Sequence, residues 1–141
     1  MADEVRAYGS EEDLWAPLPG ITNPGGVLAN HVAGNLLHYV GAVLGQTGYL
    51  RDRDAEFHAR ELPKGQLLAR LDRARTVVES VVPELDDEAL DGPFPDPPPG
   101  MGPIEMDAFL GHLLSHLSWH LGQANYHRRI VEARAAEVSP G

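Results

Sequence analysis

Histidine is the residue type in this chain best suited to chemistry, and its spacing is uneven. Of seven histidines, four fall in one short stretch: His112, His116, His120 and His127. On a helix, at about 100° per residue, these four lie within an arc of about 80° that merges with an apolar stripe. The pattern predicts that they point inward. Because buried imidazoles need a partner, it favours a shared metal ion.

Spacing narrows the choice of metal ligands but leaves alternatives. Histidines four residues apart project from one side of a helix, so either His112 and His116 or His116 and His120 can bind the same cation. His127 lies about 10.5 Å along the axis from His120, too far to share that ion. A third ligand is expected from an earlier helix, from His31 or from its competitor His38. The alternative to a metal site is a set of hydrogen-bonded core histidines.

Several other kinds of chemistry are excluded by the sequence. There is no cysteine, so thiolate zinc sites and cysteine nucleophiles are ruled out. The histidine stretch lacks the glutamate of the H-E-x-x-H protease motif, and no glycine-rich phosphate loop is present. A net charge of −10 argues against binding to nucleic acid or to an anionic membrane. The acidic start of the chain and its short apolar runs predict a cytoplasmic protein without a signal peptide or membrane span.

The elements that must position the histidines are helices. Apolar residues recur with helical periodicity over residues 27–44, 65–82 and 104–136, and no segment alternates like a strand. The sequence therefore predicts an all-α fold in a single domain over residues 1–141. Gly34 and Gly41 are costly within the first of these helices, which suggests close backbone contact there; the alternative is that both glycines are simply tolerated.

Two connectors differ in character from the helices. The charged run from Arg51 to Phe57 is consistent with a short helix ending before Pro63, or with a solvated connector. Residues 92–103 contain six prolines and three glycines, a composition that excludes a helix and predicts a stiff loop.

Two motifs resemble the DinB-like (damage-inducible B) superfamily. They are Asn-His-Val-Ala-Gly-Asn at residues 30–35 and His-Leu-Ser-Trp-His-Leu-Gly-Gln at residues 116–123. The Arg51–Phe57 run also resembles a charged block in one branch of that superfamily. The resemblance implies an antiparallel four-helix bundle that holds a divalent metal ion with His31, His116 and His120. Only 13 residues precede Leu14, so the first helix of the bundle is expected to be short or missing.

The resemblance also suggests functions. Three neutral histidines leave coordination positions open, as in catalytic sites. Characterised relatives include thiol-dependent S-transferases, which implies a small-molecule substrate and a low-molecular-weight thiol. A metal-dependent hydrolase and a non-catalytic, stress-related metal-binding protein are the alternatives. Asn35 and Gln123 are candidates for orienting ligands or substrate, and imidazole donors suit zinc, nickel or iron.

A homodimer is expected from the last helix. Its leucines at positions 110, 114, 117 and 121 lie at about 140–200° around the axis, outside the arc that faces the histidine site. Such an apolar face usually marks an interface. The alternative is that the proline-rich loop folds over this face and keeps the chain monomeric.

Overall fold

The computed structural model describes residues 1–58, 60 and 62–138, and within them the chain is an all-α bundle without strands. A π-helical segment, Leu37–Leu44, continues α3 without a break, and a single 3-10 turn, Val82–Glu84, follows α5. The seven α-helices are α1 (Ala2–Ala7), α2 (Glu11–Trp15), α3 (Gly25–Leu36), α4 (Arg53–His58), α5 (Lys64–Val81), α6 (Asp87–Leu90) and α7 (Met106–Val138). The expected fold class is confirmed, and all three long helices lie within a few residues of their predicted bounds.

The central element of the bundle is α3. Every residue from Gly25 to Asn35 is buried, and the helix packs against α4, α5 and α7. Together with its π-helical continuation, Gly25–Leu44 is long and apolar enough to cross a membrane by length and composition. Since 72% of the most apolar 18-residue stretch of this segment is buried inside the protein, its apolar character is that of a core helix. This is consistent with a soluble protein.

Two short helices, α1 and α2, stand at the start of the bundle, where a short or missing first helix was expected. The six residues of α1 pack against α3, α5 and α7, and Val5 lies in the core. The five residues of α2 are capped by the preceding Ser10, whose hydroxyl oxygen accepts a hydrogen bond from the Asp13 amide at 3.0 Å. The expectation of a short first helix is therefore confirmed.

The proline-rich loop is anchored at both ends. The Phe94 amide donates to the Ile104 carbonyl and the Met106 amide donates to the Gly92 carbonyl, each at 2.8 Å. Between them, the Phe94 ring stacks on the ring of Phe109 with centroids 3.8 Å apart. The loop thus covers the start of α7. It does not shield Leu114 further along the predicted leucine face, because that side chain remains 64% exposed.

Candidate metal centre

Three histidines from two helices meet at one point. His31 lies in the buried centre of α3, while His116 and His120 face it from successive turns of α7. The Nε2 atom of His116 lies 3.1 Å from Nε2 of His31 and 3.1 Å from Nε2 of His120. These three residues, which we call the histidine cluster, offer nitrogens that all lie within 4.8 Å of one another and could hold a metal ion.

A buried carboxylate determines how His31 presents its nitrogens. Glu56 of α4 is 1% exposed, and its Oε2 lies 3.0 Å from His31 Nδ1. A carboxylate can only accept, so Nδ1 carries the proton, and in the neutral ring Nε2 keeps its lone pair. Arg51 donates to both Glu56 oxygens at 2.8 Å and so holds the carboxylate in place. The Nε2 lone pair of His31 is thereby directed into the cluster.

His120 is oriented in a similar way by Gln123. With the amide placed so that its Oε1 faces the ring, the distance from His120 Nδ1 to this oxygen is 2.7 Å. Nδ1 donates this hydrogen bond, and in the neutral ring Nε2 again presents a lone pair to the cluster. Such partners fix the tautomer of a ligating histidine and hold its ring in position.

Burial and charge favour the neutral forms that a metal site requires. Burial, followed by repulsion from His120 and His31, lowers the pKa of His116 to about 4. Burial also lowers the pKa of His120, although the hydrogen bond with Gln123 opposes this effect. For Glu56, burial raises the carboxyl pKa, but hydrogen bonds from His31 and Arg51 outweigh it, so the pKa lies below its ordinary value. Burial thus favours the neutral forms of His116 and His120, while Glu56 beside His31 is ionised.

The donor set fits a divalent transition metal. A tetrahedral ion with metal–nitrogen bonds of roughly 2.0–2.1 Å separates its ligand nitrogens by about 3.3 Å, close to the spacing around His116. Without a cation, the one ring proton available to His116 Nε2 cannot satisfy both facing lone pairs well. Three imidazoles without a carboxylate ligand would leave a bound ion with its full charge and with open positions.

The remaining histidines of the predicted stripe do not join the cluster. His112 is exposed, so the expectation that the whole stripe points inward is wrong at this position. His127 is buried, donates from Nε2 to the Ala16 carbonyl at 2.9 Å and lies 2.9 Å from the Tyr8 hydroxyl. It is a hydrogen-bonded core histidine. His38, the competitor of His31, is half-buried and packs against the Tyr39 ring instead.

The two polar candidates beside the cluster differ in their contacts. Gln123 bonds to His120, as described above. Asn35 is buried one turn after His31, and its Oδ1 has no hydrogen-bond partner within the described residues. An orienting role for Asn35 stays a prediction.

Glu56 is the residue that the sequence interpretation missed. The run from Arg51 to Phe57 includes a short helix, as one of the two interpretations held, but it is not a solvated connector: Glu56 is buried, and the Phe57 ring packs on His31 at 4.6 Å. Gly34 makes this possible, because a Cβ there would overlap the Glu56 carboxylate. The close contact predicted at Gly34 is thus confirmed, and that glycine was the available signal.

Comparison with known proteins identifies the family. A family model of the DinB superfamily matches residues 5–124, a span that contains all three histidines of the cluster, Glu56 and Gln123. No curated protein matches the chain significantly. No solved structure does so either. Since the family model covers most of the sequence, the chain belongs to the DinB superfamily.

Proposed function

We propose that the protein is a metal-dependent enzyme whose histidine cluster activates a low-molecular-weight thiol for transfer to a small electrophile. One observation carries this proposal: the Nε2 atoms of His31, His116 and His120 converge while Glu56 and Gln123 hold the outer nitrogens of two of the rings. Membership of a superfamily with metal-binding members supports the same assignment.

The exposure of the cluster favours catalysis over a purely structural role. A structural ion is normally enclosed by four protein ligands, whereas catalytic ions keep an open position. Here His31 is buried, but His116 and His120 are half-exposed, so a small molecule can approach from the side of α7. Both oxygens of Glu56 are occupied by His31 and Arg51, so this carboxylate is not a fourth ligand.

Each side chain at the site has a definable task. His31, His116 and His120 would hold a divalent ion, which would lower the pKa of a coordinated thiol or water and so supply a nucleophile at neutral pH. The three histidines serve as nitrogen ligands of the ion. Glu56 and Arg51 hold the ring of His31 in place, and Gln123 holds the ring of His120 in place. The amide groups of Asn35 and Gln123 do not titrate near neutrality, so neither can act as a general base. The proton of the thiol must therefore leave to solvent or to the substrate.

A transfer assay tests the proposal. Metal-loaded protein is mixed with cysteine or glutathione and 1-chloro-2,4-dinitrobenzene, and formation of the thioether is followed as the thiol sulfur displaces chloride. We expect turnover that is lost after chelation and in His120→Ala but kept in His112→Ala, the matched exposed histidine on α7. A rate of thioether formation that is unchanged both by chelation and by His120→Ala would contradict an enzymatic role for the cluster.

Two further measurements on the same metal-loaded protein distinguish the alternative functions. Metal-dependent hydrolysis of p-nitrophenyl acetate without thiol transfer would favour a hydrolase, which uses the same cluster to activate water. A metal ion that cannot be exchanged and whose removal unfolds the chain would favour a non-catalytic, structural role.

A further inference from the structure

A groove runs along one flank of α7, next to the histidine cluster. It has a volume of about 610 Å³ and lies between α7 and the segment that leads into α3. Trp119, Tyr126 and Ile130 form its α7 side, and Ile21 and Leu28 lie opposite. The volume falls within the roughly 300–1,000 Å³ typical of small-molecule sites.

Two aromatic side chains border this groove without being buried. Trp119 is 69% exposed and Tyr126 is 66% exposed. They are seven residues apart, which places them two turns apart on the same side of α7. Large aromatic side chains that are exposed to water beside a concave groove are typical of a site that buries a ligand.

Gly122 leaves open space between the two aromatic rings. A Cβ built on this residue would meet no atom within 4 Å, and Gly122 itself lines the groove. Glycine in a helix interior costs about 1 kcal/mol relative to alanine. A glycine here keeps this part of the groove free of side-chain atoms.

Amide and hydroxyl groups make up most of the polar lining of the groove. Within the described part of the chain, no lysine, arginine, aspartate or glutamate lines it, and its polar side chains include Thr22, Asn23 and Gln123. Of the two lining histidines, His127 is buried and donates from Nε2 to the Ala16 carbonyl, and His120 belongs to the histidine cluster. Among the described residues, the lining therefore offers no carboxylate, lysine or arginine that could form an ion pair with a charged ligand.

The groove and the histidine cluster share two residues. His120 and Gln123 both line the groove, and His120 also contributes its Nε2 to the cluster. Because Gln123 Oε1 faces His120 Nδ1, its amide N–H₂ group remains available to donate to an oxygen of a ligand. A molecule in the groove thus lies beside the ring that holds the metal.

We propose that this groove binds the uncharged aromatic part of the electrophilic substrate, with a carbonyl-type oxygen accepting from Gln123. This inference rests on the proposed function, because it gives the chemical class of the molecule that meets the activated thiol. The groove is distinct from the leucine face expected at a dimer interface, since Trp119 lies about 140° around α7 from Leu114.

Binding of two matched fluorescent probes tests the proposal. N-phenyl-1-naphthylamine is neutral, and 8-anilino-1-naphthalenesulfonate has the same rings with an added negative charge. For metal-free protein, in which no bound ion attracts the sulfonate, we expect saturable 1:1 binding of the neutral probe and binding of the sulfonate at least about tenfold weaker. Absence of saturable binding by the neutral probe, or equal affinity for both, would overturn the proposal.

Two glycine variants locate the bound probe on α7. Gly122→Leu fills the groove and should weaken binding of the neutral probe by at least about tenfold. Gly111→Leu is the matched control, because Gly111 is also an exposed helical glycine with open space at its Cβ but does not line the groove. Equal probe affinity in the two variants would overturn the assignment.

Zn²⁺ binding and molecular mass, measured on the same samples, show whether a negative result contradicts the groove proposal or the proposed metal-dependent function. Zn²⁺ that binds while the neutral probe does not would contradict the groove proposal alone. Binding of the probe without any Zn²⁺ binding would contradict the proposed metal-dependent function. If Gly122→Leu converts a dimer into a monomer and the wild type binds no probe, the groove is a protein interface and the proposal is wrong.

Discussion

At the scale of single residues, the histidine cluster depends on the groups that hold its rings. Glu56 accepts from His31 while two bonds from Arg51 hold its carboxylate. Partners of this kind commonly change metal affinity by about 10–100-fold when they are mutated. The cluster is therefore better described as three histidines with two orienting partners than as three ligands alone.

Glu56→Gln tests the orienting role of the carboxylate. The amide keeps the shape of the side chain but removes the charge that fixes Arg51 and polarises His31. We expect Zn²⁺ affinity to fall by about 10–100-fold, measured by calorimetric titration. Asp54→Asn, an exposed acidic position on the same helix, should bind as the wild type does. Equal affinities for both variants would show that Glu56 does not orient His31.

His127 gives a prediction about pH that is independent of the metal. Burial lowers its pKa, although the bond to the Ala16 carbonyl opposes this, so the unfolded chain takes up a proton more readily than the folded one. The stabilisation that His127 provides should thus be fully present above about pH 6.5 and decline as pH falls below it.

A comparison of urea denaturation at two pH values tests the predicted direction of this pH dependence. In metal-free protein, His127→Ala should reduce the free energy of unfolding by about 1–3 kcal/mol at pH 8, through its lost hydrogen bonds. The reduction should be smaller at pH 5. A larger reduction at pH 5 would mean that the folded protein prefers the protonated ring, with the Tyr8 oxygen accepting from it.

At the scale of elements, α3 and α4 are fitted together by Gly34. Glycine to alanine in a helix usually stabilises by about 1 kcal/mol. At position 34 the added methyl would overlap the Glu56 carboxylate and displace it from His31. We expect Gly34→Ala to lower both the urea midpoint and Zn²⁺ affinity. Gly111→Ala, at a glycine with open space, should raise the midpoint. A stabilised Gly34→Ala variant with normal Zn²⁺ affinity would contradict this packing.

The three long helices could be predicted from the sequence because each carries a local signal. Apolar periodicity gave the three long helices, and the spacing of His116 and His120 placed both rings on one side of α7. Such local patterns contain no information about tertiary packing. They predicted that His112 points inward, although it is exposed, and they left open whether the Arg51–Phe57 run was solvated. Burial of a glutamate between an arginine and a histidine depends on how α4 packs against α3, which periodicity does not describe.

At the scale of the whole molecule, the bundle leaves part of the leucine face of α7 uncovered. Leu114 is 64% exposed, and Leu110, Leu117 and Leu121 are half-buried. The proline-rich loop covers only the start of α7 around Phe109. We therefore propose that a second copy of the chain packs on this leucine face.

The oligomeric state tests that proposal. Light scattering at micromolar concentration should give about 31 kDa, twice the 15.3 kDa of one chain. Leu114→Glu should reduce the mass towards that of a monomer, because a buried, unpaired charge is costly at an interface. Trp119→Glu, on the opposite flank, should leave the mass unchanged. A wild-type mass near 15.3 kDa would contradict the dimer.

The most direct test of the metal centre is calorimetric titration of chelator-stripped protein with Zn²⁺ and with Ni²⁺ at pH 8. We predict saturable binding of one ion per chain, lost in His31→Ala and in His120→Ala and retained in His38→Ala, since His38 lies outside the cluster. Absence of saturable binding in the wild type, or loss of binding in His38→Ala but not in His31→Ala, would contradict the assignment of these three histidines as a metal site.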